Sequence, residues 1–301
     1  MYHEPVLLKE SVDGLNINPD GCYFDATFGG GGHSREILKR LSHKGKLFAI
    51  DQDSDAKNNI IDDERFTFIF GNFRYLKNYL EYYHIQKIDG LLADFGVSSH
   101  QFDEKDRGFS FRLGGNLDMR MNDKQKLSAV EILNSYDESK LLYIFNNYCD
   151  INNSKRLSER IITYRENKKI DTIEDFLDII TPLAQKFKEN KYFAQVFQAV
   201  RIAVNDEMIA LEEFLNSIPK FLRIGARLSF ISYHSLEDVR VKNLIRYGST
   251  IEPDNINIFG NKPSCLTAIN RKAIIPSDEE LERNPRSKSA KLRIAEKNER
   301  E

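Results

Sequence analysis

The chain has 301 residues, 41% hydrophobic and 30% charged, with a formal net charge of −2. That suits one or two globular domains with a substantial core. It excludes a protein that coats nucleic acid by bulk charge, but allows a local basic surface.

No apolar run approaches the ~20 residues a membrane-spanning helix needs. The start, Met1-Tyr2-His3-Glu4-Pro5, lacks the basic-then-apolar pattern of a secretory leader. Cys22, Cys149 and Cys265 form no C-x-x-C, so neither a disulfide frame nor a zinc site is expected. A reducing cytoplasm is the expected compartment.

Across the first hundred residues, short apolar runs alternate with helical patterns, the signature of βαβ units and a parallel sheet. The pattern predicts strands over Cys22–Thr27, Lys46–Asp51, Phe66–Phe70 and Ile88–Asp94. Helices are expected over Ser34–Leu41, from about Ser54, and over about Tyr75–Tyr83. From Lys105 to Tyr192 the patterns turn helical and polar, with start signals at Asp137 and Thr172-x-x-Asp175. A long helix follows, its apolar positions running Val196, Val200, Val204, Met208, Leu211, Leu215 and Ile218. Then come a strand over Arg227–Tyr233 and a helix opened by Ser235-x-x-Asp238. Leu266–Ile275 and Ala290–Ala295 suit a closing antiparallel pair. The reading is one doubly wound, mostly parallel α/β sheet, residues 1–104 and 193–301, interrupted by an all-helical insertion, 105–192.

The stretch Asp25-Ala26-Thr27-Phe28-Gly29-Gly30-Gly31-Gly32-His33-Ser34 lies where the first strand turns into the first helix. Glycines there let the backbone bend sharply and approach a ligand. Free N–H groups at the helix start favour an anionic group. Asp51 ends the second strand, where a carboxylate can accept both ribose hydroxyls. A dinucleotide prefers G-x-G-x-x-G, and here the third position is Ser34. S-adenosylmethionine asks for an acid on the first strand and G-x-G four residues on, which Asp25, Gly29 and Gly31 supply, although Thr27 stands where another glycine often falls. S-adenosylmethionine is the better match.

Asp94-Phe95-Gly96-Val97-Ser98-Ser99-His100-Gln101 follows the fourth strand, and ligands of open α/β sheets sit beyond the C-terminal strand ends. Asp25, Asp51 and Asp94 are therefore expected to converge; the alternative is that Asp94 caps the next turn. An exocyclic amine is a poor nucleophile, and an acceptor such as Asp94 beside its N–H can turn the lone pair towards a methyl sulfonium. Phe95, Phe102, Phe109 and Phe111 are candidates to stack on an extruded base, each competing with a plain core role. In Arg107-Gly108-Phe109-Ser110-Phe111-Arg112, cations flank aromatics. His234 ends the fifth strand as an acid–base candidate or, better matched, as a hydrogen bond that fixes its loop; no second His or Cys lies at metal-ligand spacing. Arg283 to Arg293 carries five cations and no acid, a basic surface or a solvated tail.

These segments resemble the ribosomal RNA small subunit methyltransferase H family, also called MraW. The matching stretches are His3–Leu8, Asp25–Ser34, Asp94–Gln101, Arg107–Phe111, Leu117–Met121, Phe197–Ala199, Ser232–Asp238 and Asn284–Ala290, in the family's order. The chain departs from the family pattern at Phe95, His100, 191–194, Ala226 and Val239.

The resemblance implies a Rossmann-like class I methyltransferase that uses S-adenosylmethionine for N4-methylation of a cytidine in 16S rRNA near the decoding centre of the small ribosomal subunit. It implies cofactor contacts from Gly31, Gly32, His33, Asp51, Phe73, Asp94 and Gln101. Candidate catalytic groups are Asp94, Phe95 and His234. Candidate RNA contacts are Arg107, Phe109, Phe111, Arg112, Arg286 and Lys288, with the insertion as the recognition element. A nucleotide-dependent dehydrogenase and a non-catalytic ribosome-assembly factor remain as alternatives. The chain is as compatible with a monomer as with a homodimer.

Overall fold

The computed structural model describes residues 5–97, 99–253 and 264–300. It separates into two compact units, one running to Gly96 and resuming at Met208, the other Val97–Glu207.

The first unit contains the sheet. Its strands are β1 (Cys22–Asp25), β2 (Lys46–Asp51), β3 (Phe66–Phe70), β4 (Ile88–Asp94), β5 (Leu222–Ser232), β6 (Leu266–Ala268) and β7 (Lys291–Lys297). They lie in the order β3-β2-β1-β4-β5-β7-β6. The first five are parallel, and β7 runs antiparallel between β5 and β6. Strands β2, β3 and β4 have the predicted bounds. The chain winds outward from β1 to β2 and β3, then returns to set β4 on the other side of β1. That reversal opens the sheet at the C-terminal ends of β1 and β4, the place where α/β folds bind ligands.

Both faces are covered, so β1 and β4 are buried along most of their length. On one face, helix Leu8–Gly14 meets β5, where Ser229 Oγ donates to Ser11 O at 2.8 Å. Val12, Tyr23, Ile37, Leu38, Leu47 and Leu92 form a core cluster. On the other, Phe230 of β5 stacks on Phe95 with centroids 5.8 Å apart. There Arg293 of β7 also pairs with Asp238 of helix Ser235–Tyr247 at 2.6 and 3.0 Å.

The second unit is helical, and among its described residues no strand occurs. Asp137 caps helix Glu138–Asn147 by accepting from Lys140 N, and Thr172 with Asp175 forms the expected capping box. Its core includes Leu133, Phe145, Leu157, Ile161, Phe176, Val196, Phe197 and Val200.

Several expectations are corrected. The segment after Ser54 is a 3₁₀ turn, Ser54–Asn59, opened by the Asp53 carboxylate accepting from Asp55 N. The long helix is two helices, Glu189–Asn205 and Glu207–Ser217, because Asp206 is left-handed at φ 50°. The Asn205 amide bonds to Met119 O, Arg201 O and Met121 N, which anchors the break. The unit boundaries fall at 96/97 and 207/208 rather than at 104/105 and 192/193, since the whole of Glu189–Asn205 packs its apolar face into the helical unit's core. Of Leu266–Ile275, only the first three residues are strand, with a lone bridge from Ile274 to Leu292. Among the described residues no helix is long and apolar enough to cross a membrane.

Candidate active site

The glycine loop is an extension of the sheet that ends in a helix. Ala26 N donates to Leu92 O of β4 and Phe28 N to Ile50 O of β2, at 2.8 and 3.0 Å. Gly29 (φ 49°) and Gly31 (φ 75°) then make the turn. A Cβ at Gly31 would strike the Phe28 ring at 2.9 Å, while one at Gly29 or Gly30 would meet nothing within 4 Å. The loop therefore presents open backbone on one side. Its carbonyls are turned away, that of Gly29 to Asn59 Nδ2 and that of Gly30 to Arg35 Nη1. Helix Gly32–Arg40 makes its first intrahelical bond from Arg35 N to Gly31 O. The N–H groups of Gly32, His33 and Ser34 precede it, the usual cradle for a carboxylate.

The three strand-end acids have different fates. Asp25 is fully buried, and its oxygens accept from Ser34 Oγ (2.7 Å) and Thr27 N (3.1 Å). It fixes the loop rather than facing a ligand, which corrects the expectation that all three converge on one. Burial pushes Asp25 up and its neighbour His33 down, so both favour neutral forms. Thr27 is explained by the same network. Its hydroxyl accepts from Asp94 N at 2.7 Å, tying β1 to β4 as a glycine could not.

Asp51 is half-buried at the end of β2. Each of its oxygens accepts one backbone donor, Gly29 N at 2.7 Å and Asp53 N at 2.8 Å. Burial raises its carboxyl to about 6 against the pull of those donors. A carboxylate oxygen accepts more than one hydrogen bond, so a pair of ribose hydroxyls fits here and would favour the anion. Asp94, also half-buried, accepts from Tyr233 Oη at 2.8 Å. Burial pushes Asp94 up to about 8, with Asp25, Glu237 and Glu280 adding to the rise.

The remaining predicted residues are placed as follows. Gly32 is the contact point of the N-terminal segment, where a Cβ would lie 2.0 Å from Pro5 Cγ. His33 is buried, with Nε2 3.1 Å from Val6 O, so what it offers a ligand is its backbone. Phe73 is half-buried, its ring 5.0 Å from Phe214 and 6.1 Å from Phe95. Phe95 is enclosed by Phe73, Phe214 and Phe230 and is only 3% exposed. A ring so enclosed has no face left for a base, so the candidate stacking role gives way to packing. His234 is mostly buried, its Nε2 3.0 Å from Glu237 Oε1, and Glu237 Oε2 accepts from Tyr233 N at 2.7 Å. The turn is held by Glu237 more than by His234.

In the helical unit, Gln101 is buried on helix Ser99–Asp103. The segment Arg107–Arg112 is a packed turn, not a loose loop. Arg107 Nη2 donates to Arg120 O and Met121 O, and Phe109 is buried edge-on to Phe102. Phe111, half-buried, meets Phe193 and Phe197 with the Arg112 guanidinium 5.8 Å from its ring. Arg112 is exposed, as are Arg286 and Lys288, which flank the buried Ser287.

Tyr233, Thr27 and Glu237 are functional candidates that only the structure brings out. In sequence Tyr233 reads as the last residue of a strand, and only its position inside the motif Ser232–Asp238 hints at more.

A family model described as the MraW methylase family matches residues 1–298. The chain belongs to the MraW methylase family. The dehydrogenase alternative for the glycine loop is thereby set aside. The chain is 55% identical over 297 residues to the ribosomal RNA small subunit methyltransferase H of Parabacteroides distasonis, covering 98% of this chain and 97% of that one. It is 54% identical over 296 residues to the protein of the same name from Christiangramia forsetii, covering 98% of each. A solved rRNA methylase from Streptococcus thermophilus aligns at TM-score 0.44 and 13% identity over 99% of both chains. For a member of this family, the open glycine backbone, the Asp51 acceptor and the Asp94 carboxyl on one sheet end are residues that fit S-adenosylmethionine.

Proposed function

We propose that the chain transfers the methyl group of S-adenosylmethionine to the exocyclic N4 of a cytidine in 16S rRNA, near the decoding centre of the small ribosomal subunit, in the cytoplasm. The observation that carries the reading is the pair of strand-end carboxyls on the first unit, Asp51 and Asp94, beside a glycine loop whose backbone is open on the ligand side. Family membership and the names of the relatives support the rRNA substrate.

In this reading the cofactor supplies an electrophilic methyl on sulfur. The N–H groups of Gly32, His33 and Ser34 would hold its carboxylate and Asp51 its ribose hydroxyls, and the half-buried Phe73 would border the adenine. Asp94 accepts an N–H of the amine and so aims the nitrogen lone pair at the methyl carbon. Cys22 and Cys149 take no part: burial raises their thiols to about 11 and about 12, which makes them inert as nucleophiles. The helical unit serves RNA recognition through Arg112, and Arg286 and Lys288 add exposed cations on the first unit.

The test incubates the protein with labelled S-adenosylmethionine and small subunits from a strain lacking the enzyme, then identifies the labelled nucleoside by mass spectrometry. Label in N4-methylcytidine at one position is the expected result. Cofactor binding with no label on subunits or free RNA would instead favour a ribosome-assembly factor.

A further inference from the structure

We propose that Tyr233 is a positioning residue for methyl transfer: its hydroxyl holds one oxygen of Asp94, and the other oxygen is left to meet the acceptor amine. This rests on the reading of Asp94 as the group that accepts the amine N–H. The geometry is that of a built site. Tyr233 Oη donates to Asp94 Oδ1 at 2.8 Å, while Oδ2 has no hydrogen bond among the described residues. The backbone around this pair is fixed on three sides. Asp94 N donates to Thr27 Oγ1 (2.7 Å), Phe95 N to Ile231 O (2.9 Å), and Tyr233 N to Glu237 Oε2 (2.7 Å). The Tyr233 ring lies against Gly96, where a Cβ would come within 3.2 Å of Cδ2 at φ 115°. Neither partner can drift without breaking one of these bonds.

Holding one oxygen has two consequences. The carboxyl plane is set, so the lone pairs of Oδ2 have a defined direction. A proton on Asp94 is favoured on Oδ2, since Oδ1 accepts the Tyr233 hydroxyl, and Oδ2 then accepts the amine N–H best in the ionised form. Burial works against that form, as do the carboxyls of Asp25 on β1, Glu237 on helix Ser235–Tyr247 and Glu280 on helix Asp278–Arg283; Ser34 and His33 sit behind Asp25, and His234 beside Glu237. The Tyr233 hydroxyl opposes them, and its own phenol is raised well above the ordinary value, so it remains a donor throughout the working range. During transfer the amine nitrogen bonds to the methyl carbon, the sulfur–carbon pair returns to sulfur as a neutral thioether, and the proton shed by nitrogen passes to Oδ2 and on to water.

The experiment measures kcat against pH with small subunits as substrate, alongside calorimetric cofactor affinity and a thermal melt. Wild-type enzyme forming N4-methylcytidine establishes the underlying reading; if it transfers nothing, that reading falls and this role with it. Given turnover, Tyr233→Phe is expected to keep its cofactor affinity and KM for RNA, with a melt unchanged near pH 5 and lowered above pH 8, where the more strongly raised Asp94 carboxyl must ionise. Its acid limb should rise by about one pH unit, as loss of a hydrogen bond to a charged group implies, with kcat recovering at high pH. Tyr233→3-fluorotyrosine keeps the shape and strengthens the donor, so its limb should move downward. A limb unmoved in both variants, or a kcat lowered equally at every pH, overturns the proposal. If Tyr233→Phe does not fold, the fluorotyrosine limb alone decides.

Discussion

Asp25, Asp51 and Asp94 occupy equivalent places at the ends of parallel strands, yet only the last two are open to a ligand. Burial makes the difference: Asp25 and Asp51 each accept one donor on either oxygen, but Asp25 is fully buried, whereas Asp51 and Asp94 are half-buried. Asp51→Ala is expected to weaken S-adenosylmethionine binding about 100-fold by calorimetry, from the loss of two hydrogen bonds to a charged acceptor; unchanged affinity would remove Asp51 from the pocket. Asp94 gives a pH prediction whose sign follows from its raised carboxyl, about 8 against 3.8. Between those values the folded form binds more protons than the unfolded chain, so Asp94 costs progressively more stability as pH rises and reaches its full cost near pH 8. Asp94→Asn in the ligand-free protein should therefore melt a few degrees (about 2–4 °C per kcal/mol recovered) above wild type at pH 8. Near pH 4 the gain should vanish. An equal gain at both values would contradict the assigned burial.

Strands are the best-read elements: β2, β3 and β4 fall on their predicted bounds, because a sheet covered on both faces requires apolar runs that polar or glycine residues then terminate. Helices are read less well. The apolar rhythm from Val196 to Ile218 passes smoothly through Asp206, and periodicity does not register one left-handed residue. The 3₁₀ turn at Ser54 shares its start signal with an α-helix. The helix that begins at Gly32 starts two residues ahead of its predicted bound, since glycine is a weak helix former. The reason for glycine there lies far away in sequence, at Pro5. Gly32→Ala should displace Pro5 and strain the hydrogen bond between His33 and Val6, costing about 1–3 kcal/mol as overpacking does. A thermal melt measures this, and an unshifted Tm would show that the N-terminal segment yields freely.

At the scale of the molecule, each unit has its own core, and the sheet unit is assembled from the two ends of the chain. A net charge of −2 leaves nucleic-acid affinity to local cations. Arg286→Ala with Lys288→Ala should weaken RNA binding and lower the salt slope by about 0.7 for each phosphate of single-stranded RNA that is no longer neutralised. Filter binding across a salt series reads it, and an unchanged slope would place the RNA elsewhere.

The order of the strands, the glycine turn and the family were legible in sequence, because strand burial and loop flexibility are written in neighbouring residues. Which acid faces a ligand, that Phe95 packs inside an aromatic cluster, that Arg107 braces a turn and that Tyr233 holds Asp94 were decided by the tertiary structure. Each depends on a partner supplied by a distant segment, and local pattern carries no information about where that partner comes to rest.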